Sequence, residues 1–262
     1  MTLRLNTFIA CAALLCGCHD QRAATSLPQR AYVWQREWTP AVNDAVKNVA
    51  TAKLDGIVLL GAEIVWDHGQ PKPLRSNIDW PSVKTLNKPV GIAMRVAPFG
   101  GLFEEHGQIT RVLNETAKSL LDKMKKEQVP CAECQLDFDC AQKKLSGYAL
   151  WLKALRESVR PCRLVITTLP AWLDEPDFAK LLKYTDGYIL QVHSIPPSRP
   201  AADALVCEPD RARLWVKRAA ALSHPFEVAL STYSAIVGYD EEGRLRGVAL
   251  DAVQPSLSLI HI

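Results

Sequence analysis

The chain has 262 residues, 48% of them hydrophobic, which is enough to bury a substantial core in one large α/β domain or two small ones. Its 31 basic and 28 acidic residues leave a net charge of +3 and are spread along the chain. No basic stripe of the kind that binds nucleic acid is present, so no nucleic-acid partner is expected.

The first eighteen residues have the pattern of an export signal. Arg4 is followed by an apolar run from Phe8 to Leu15, and then by Cys16-Gly17-Cys18. This is similar to a bacterial lipoprotein signal, with Cys18 as the lipidated residue, although Cys16 is unusual at its position. We predict a signal over 1–18, a linker over 19–30 and a periplasmic protein anchored to the membrane by lipid. A plain secretory signal is the alternative, and the apolar run is short for a membrane span.

Residues 31–262 alternate strand and helix patterns. Continuous apolar runs such as Gly56 to Leu60 are typical of strands buried on both faces. The predicted strands cover 31–35, 56–60, 90–97, 135–140, 163–168, 187–193 and 226–233. The predicted helices cover 41–53, 108–127, 146–159, 176–184 and 211–223, with a loop over 61–89 that has room for a short helix near Trp80.

Repeated strand-helix units predict a (β/α)8 barrel of the TIM type or an open doubly wound sheet. Neither a Gly-x-Gly-x-x-Gly nor a Gly-x-x-x-x-Gly-Lys-Ser/Thr motif occurs, so no cofactor is expected. Polar residues cluster where strands end, which favours the barrel, whose active sites lie at that mouth. Only seven strands can be counted before a predicted hairpin over 237–250. We therefore expect a barrel truncated at the C-terminus, or less readily an eighth strand over 256–262.

The fourth predicted strand, Gln135 to Cys140, carries two carboxylates on one face. Side chains alternate along a strand, so Asp137 and Asp139 point one way, while Leu136 and Phe138 point the other. Two carboxylates beside a core require a cation, a substrate or close hydrogen-bond donors. The alternative is that they cap the next helix and brace loops.

Four ordered motifs carry a family resemblance: Tyr32 to Trp38 (YVWQREW), Gln135 to Tyr148 (QLDFDC followed by LxGY), Thr167 to Trp172 (TTLPxW) and Leu190 to His193 (LQVH). Together they resemble the DUF3142 family of bacterial exported proteins, over about residues 32 to 239. The resemblance implies a barrel of the glycoside-hydrolase type and members that are longer at the C-terminus. That family carries no established activity, so function follows only by analogy of fold.

Glycoside hydrolysis commonly needs two carboxyl groups. We take Asp139 as nucleophile or electrostatic stabiliser, and Asp137 as the residue that orients it or raises its pKa. Chitinase-type barrels carry Asp-x-Asp-x-Glu on this strand, and Ala141 stands where that Glu would be. The identity of the general acid is therefore open, and the candidates are Glu63, Glu37, Asp174 and Glu175.

His193 shares a face with Gln191 and is a candidate proton carrier, hydroxyl ligand or structural histidine. A metal held by Asp137, Asp139 and His193 is a weaker alternative. The residues expected to bind substrate or line the mouth are Gln35, Trp34, Trp38, Arg95, Gln191, Trp172 and Tyr233.

Three hypotheses follow for the function. The first is a lipid-anchored periplasmic enzyme, related to glycoside hydrolases, that acts on a carbohydrate. The second is a barrel that binds carbohydrate without cleaving it, which the missing Glu at Ala141 favours. The third is a structural envelope lipoprotein whose mouth contacts another protein. No Gly-x-Ser-x-Gly elbow is present, which argues against an esterase.

Five of the eight cysteines follow the predicted signal, and export favours disulfides. We expect Cys140 to pair with Cys207, both on the mouth side. We expect Cys162 to pair with either Cys131 or Cys134. The Cys131-x-x-Cys134 spacing suits zinc, but no second ligand pair completes such a site.

Overall fold

The computed structural model describes residues 27–49, 51–193, 206–231 and 235–250. The predicted signal with Cys18, and Tyr233, lie outside these residues. Within them, no helix is long and apolar enough to cross a membrane.

The described chain mostly alternates strands and helices. The strands are β1 (Arg30–Val33), β2 (Gly56–Asp67), β3 (Gln70–Arg75), β4 (Val90–Val96), β5 (Cys131–Asp137), β6 (Arg163–Thr168), β7 (Gly187–Gln191), β8 (Phe226–Ala229), β9 (Ala235–Tyr239) and β10 (Leu245–Leu250). The helices are α1 (Pro40–Val49), α2 (Trp80–Lys84), α3 (Gln108–Lys126), α4 (Leu145–Val159), α5 (Pro176–Leu181) and α6 (Pro209–Ala221).

Seven parallel strands form one curled sheet in the order β1-β2-β4-β5-β6-β7-β8. Each strand pairs with the next one in that order, as in a TIM barrel, and α3, α4 and α5 pack side by side against its outer face. The sequence prediction of a TIM-type sheet with seven parallel strands is therefore confirmed for the part of the chain that the structure describes. The predicted tail hairpin is also present, because β9 and β10 pair antiparallel in a separate two-stranded sheet.

One predicted loop is wrong. The segment over 61–89 begins with the second half of β2, which turns back into β3 as an antiparallel hairpin. Its two-residue turn places His68 and Gly69 at φ of 49° and 77°, the left-handed conformations that such a tight turn requires. Pro71 and Pro73 concealed the strand in the sequence, but among the described strands β3 pairs only with β2, and an edge strand tolerates proline.

The sheet has an apolar outer face and an inner face that changes character along its length. The outer face, with residues such as Ile57, Leu59, Ile92, Leu136 and Ile166, packs under the helices in the main core. The middle of the inner face is lined by two small apolar clusters. These contain Tyr32, Val58 and Ala93 on one side, and Val165, Ile189 and Ala229 on the other.

The amino ends of the strands, here called the base, hold a buried ionic cluster. Arg30 of β1 donates to Glu133 of β5 at 2.6 Å, and to Glu227 of β8 at 2.7 Å and 3.1 Å. Burial alone lowers the pKa of Arg30, but the two carboxylates more than offset that effect and raise it. Among the described residues, β1 and β8 are not neighbours in the ladder, so this cluster links the two edges of the curled sheet. Gly91 makes room for Glu133, because a Cβ there would lie 3.1 Å from the Glu133 Cγ.

All five described cysteines are free thiols, and one of the two partners expected for Cys162 lies beside it. The residue beside Cys162 is Cys131, with 2.8 Å between the two Sγ atoms. Cys134 is instead fully buried in the main core. Cys140 is also buried there, while Cys207 packs against the same core from a partly exposed position, and the structure records no bond between these two.

A polar mouth at the carboxyl ends of the strands

Three charged residues form a row across neighbouring strands at the mouth. The register pairs Glu63 of β2 with Arg95 of β4, and Arg95 with Asp137 of β5. Paired residues on adjacent parallel strands point to the same face, so all three face inward. Glu63 and Asp137 are thus two strands apart, about 10 Å between their Cα atoms.

Asp137 is held by donors on both of its neighbours. One of its oxygens accepts from Arg95 Nε at 2.7 Å, and the other accepts from Thr167 Oγ1 at 2.6 Å. Burial lowers the pKa of Arg95, but the Asp137 carboxylate more than offsets this, and the net pKa is raised. Asp137 therefore serves as an anchor for Arg95, and each of its two oxygens already has a donor.

Asp139 lies two residues past the end of β5, which stops at Asp137 and not at Cys140 as predicted. Its side chain is exposed at the mouth. The carboxyl group is nevertheless partly shielded from water, and this partial burial and the nearby Asp137 raise its pKa, while Arg95 and a hydrogen bond from Gln191 offset only part of that rise. Asp139 is thus a carboxyl group that holds its proton more tightly than usual.

Gln191 ends β7 and donates to the Asp139 carboxyl group, and His193 lies two residues further along the chain. Both side chains are partly buried. Burial lowers the pKa of His193, although Asp137 opposes the shift, so the imidazole is neutral at pH 7. The structure therefore brings Asp137, Asp139, Gln191 and Arg95 together, with His193 close enough to Asp137 for its charge to be felt.

Trp34 supports the row and does not present a free ring to solvent. Its ring stacks on Tyr32, with 4.9 Å between centroids and 4° between planes, and the Arg95 guanidinium lies 4.4 Å above it. Tyr32 in turn donates to Gln135 Oε1 at 2.6 Å. Tyr32, Gln135 and Thr167 were not chosen as site residues from the sequence. Side chains alternate along a strand, so Tyr32 and Gln135 could have been predicted to share a face with Trp34 and Asp137. The Thr167 contact, in contrast, depends on the register between β5 and β6.

The acids considered as partners for Asp139 are placed differently from one another. Glu63 forms an ion pair with Arg36 at 3.1 Å and remains partly exposed in the row. Asp174 pairs with Arg218 of α6 at 2.8 Å, outside the sheet. Glu175 accepts from Gln142 at 2.9 Å. Of these, Glu63 is the one whose strand register puts it in the mouth.

The aromatic lining is smaller than the sequence suggested. Trp172, expected to contact substrate, is fully buried, and its Nε1 donates to the Cys140 carbonyl at 3.0 Å. That expectation is wrong, because Trp172 lies in a short 3-10 helix and its indole ring packs into the main core. Trp38 packs partly buried against the same core. The Gln35 Oε1 and the Trp38 Nε1 are buried without a hydrogen-bond partner among the described residues.

No group of three or more His, Cys, Asp or Glu side chains within the described segments is arranged to hold a metal ion.

The family model DUF3142, described as a domain of unknown function, matches residues 98–255, which is more than half of the chain. The chain belongs to the DUF3142 family. The matched region includes Asp137, Asp139, Gln191 and His193. No curated protein matches the chain.

Solved structures share the fold at low sequence identity. The spore cortex-lytic enzyme SleL of Bacillus cereus superposes with a TM-score of 0.59 at 12% identity, over 86% of this chain and 55% of its own. A chitinase of Chromobacterium violaceum gives 0.53 at 12% identity, over 88% of this chain and 84% of its own. The GH18 chitinase ChiB of Flavobacterium johnsoniae gives a TM-score of 0.53 at 13% identity, over 84% of this chain and 72% of its own. The chain thus spans about half the length of SleL, and the likeness establishes the TIM-like fold of the curled sheet.

Proposed function

We propose that the chain binds a carbohydrate at the mouth and hydrolyses a glycosidic bond there, with Asp139 as the essential carboxyl group. One observation carries the proposal: an exposed carboxyl group with a raised pKa lies beside a second carboxylate that is paired with Arg95. The fold shared with chitinases and a cortex-lytic enzyme supports a carbohydrate as ligand.

The raised pKa favours a proton donor over the nucleophile expected from the sequence. In the proposed step the Asp139 proton passes to the glycosidic oxygen as the bond from the anomeric carbon to that oxygen breaks. Water forms the new bond to the anomeric carbon, and neutral His193 accepts its proton. The ion pair of Asp137 with Arg95, supported by Thr167, keeps these charges in a fixed position beside Asp139. Gln191 orients Asp139.

The test uses soluble chitin oligosaccharides as probe and measures released reducing ends. We expect Asp139→Asn to lower turnover at least about 100-fold, in line with loss of general acid catalysis. Asp174→Asn is the matched control, because it removes a carboxylate that pairs with Arg218 on the outside of the sheet. Turnover by Asp139→Asn at the rate of the unmodified chain would overturn the assignment.

Binding without hydrolysis is the second candidate, and Ala141 favours it, because the residue that follows Asp139 by two is not an acid. In that case a glycan array records binding, no reducing ends appear, and Asp139→Asn leaves affinity unchanged. Loss of affinity in Arg95→Met would still place the ligand at the mouth.

We also propose that the chain is exported and anchored through a lipid on Cys18, as the pattern of its first eighteen residues indicates. Incorporation of labelled palmitate into the unmodified chain, and its absence in Cys18→Ser, is the expected result. Equal labelling of both proteins contradicts the proposal.

A further inference from the structure

Two cysteines meet at the base, on the side of the sheet opposite the mouth. Cys131 begins β5, and Cys162 immediately precedes β6. The two strands are parallel neighbours, with Glu133 paired to Arg163. Adjacent strands lie about 4.8 Å apart, which is within the range of Cα separations that a disulfide spans. The 2.8 Å between the two Sγ atoms therefore needs little backbone movement to become a bond.

A bulge selects Cys131 over Cys134. Val90 pairs with Cys131 and Gly91 with Glu133, so one extra residue, Ala132, is accommodated in β5. This bulge turns Cys131 toward the outer side of the sheet, where Cys162 lies. Cys134 is fully buried in the main core, and its backbone, not its sulfur atom, forms the hydrogen bond recorded with Cys162.

The pair is open to a reagent. Both cysteines are partly exposed, and they line a cavity of about 490 Å³ between the end of α3 and the turn that enters β6. Leu121, Met124 and Val129 contribute apolar walls to this cavity. A small disulfide or the tip of a protein oxidant can therefore reach the sulfur atoms.

We propose that Cys131 and Cys162 are a disulfide-forming pair that ties the α3–β5 turn to the α4–β6 turn. The closed loop contains β5, Asp137, Asp139 and α4, so the bond restrains the segment that carries the acidic residues of the mouth. The proposal is independent of whether the mouth hydrolyses or only binds a carbohydrate.

The reaction is a thiol-disulfide exchange with an external disulfide as oxidant. Either thiol can donate across the contact between the two Sγ atoms. Donation from Cys131 to an ionised Cys162 lowers the pKa of Cys162, so we take Cys162 as the attacking thiolate. Its attack breaks the external S–S bond, releases one thiolate and leaves a mixed disulfide on Cys162. Cys131 then loses its proton, attacks the Cys162 Sγ and releases the second thiolate. Two cysteines are oxidised, and the external disulfide is reduced to two thiols.

The experiment treats the full chain with oxidised glutathione, blocks free thiols, digests with trypsin without reduction and identifies cross-linked peptides by mass. Cys131, Cys134 and Cys140 fall on one tryptic peptide, 127–143, so variants assign the bond. We expect the cross-link to the peptide that contains Cys162 to persist in Cys134→Ser and to vanish in Cys131→Ser. The opposite pattern, or no cross-link to Cys162 in the unmodified chain, would overturn the proposal.

Thermal unfolding supplies an independent measurement. Reduction by a phosphine is expected to lower the Tm of the oxidised chain and of Cys134→Ser by roughly 5–15 °C, since the bond closes a loop of about thirty residues. Cys131→Ser should show no change in Tm on reduction. A Tm that is unchanged by reduction in the cross-linked protein contradicts the proposed restraint.

Discussion

The base and the mouth of the curled sheet both carry charged residues on the inner face, but the two regions differ in how completely those charges are paired. At the base, Glu133 is almost fully buried and accepts from Arg30 and from Gln135 at 2.6 Å each. At the mouth, Arg95 and Thr167 satisfy Asp137, while Asp139 remains exposed with a raised pKa. The charges at the base are thus paired with one another, whereas the mouth has one carboxyl group, Asp139, that is not paired with a cation of its own among the described residues.

This difference separates a structural role from a functional one. Buried charges that are fully paired fix the arrangement of strands, as Arg30 does between β1 and β8. A carboxyl group held against its preferred ionisation is typical of sites that bind or transform a ligand. Changes at the base should therefore affect stability, and changes at Asp139 should affect function.

The largest effect is expected from Glu133→Ala. The substitution removes the fully buried partner of Arg30, which leaves the guanidinium only the partly exposed Glu227, and it leaves Gln135 without its acceptor. We expect the free energy of unfolding to fall by about 3–5 kcal/mol, measured by urea denaturation.

Glu227→Gln is the matched control at the same cluster. The Glu227 side chain is 37% exposed, and Arg30 keeps Glu133 after the change, so a loss below about 1 kcal/mol is expected. Equal losses for the two variants would show that the base is not organised around Glu133.

A smaller effect is expected from Arg95→Met. Asp137 keeps Thr167 but loses its cation, and Trp34 loses the guanidinium above its ring. Because the Arg95 side chain is half-exposed, we expect a loss of about 1–3 kcal/mol. Arg95 lowers the pKa of Asp139, so that pKa should rise further in the variant. Carboxyl chemical shifts followed against pH test this, and an unchanged Asp139 titration would contradict the proposed coupling.

The smallest effect is expected from Asp139→Asn, with the opposite sign. A raised pKa in the folded state means that the folded chain binds this proton more tightly than the unfolded chain, so ionisation destabilises the fold. The variant should match the unmodified chain below about pH 4 and become the more stable of the two as pH rises above that. Tm measured across pH checks this, and a variant less stable at pH 7 would assign Asp139 to structure.

Much of the site could be predicted from residue order alone. Alternation along the strand placed Asp137 and Asp139 at one end of the sheet, and the polar strand ends placed Gln191 and Arg95 at the same end. The sequence could not show which carboxylate has a donor on each oxygen, because that depends on Arg95 and Thr167 arriving from the two neighbouring strands. It also misplaced Trp172, since a 3-10 turn after β6 points the indole into the core.

The sequence by itself determined the seven parallel strands, since continuous apolar runs separated by amphipathic helices are stable only as a sheet covered by helices. Only the tertiary structure decided which long-range partners meet. The Arg30 link between β1 and β8, the choice of Cys131 by a bulge and the excess carboxyl group at the mouth all depend on strand register and curvature. These are set by packing between segments far apart in the chain, which local residue patterns do not encode.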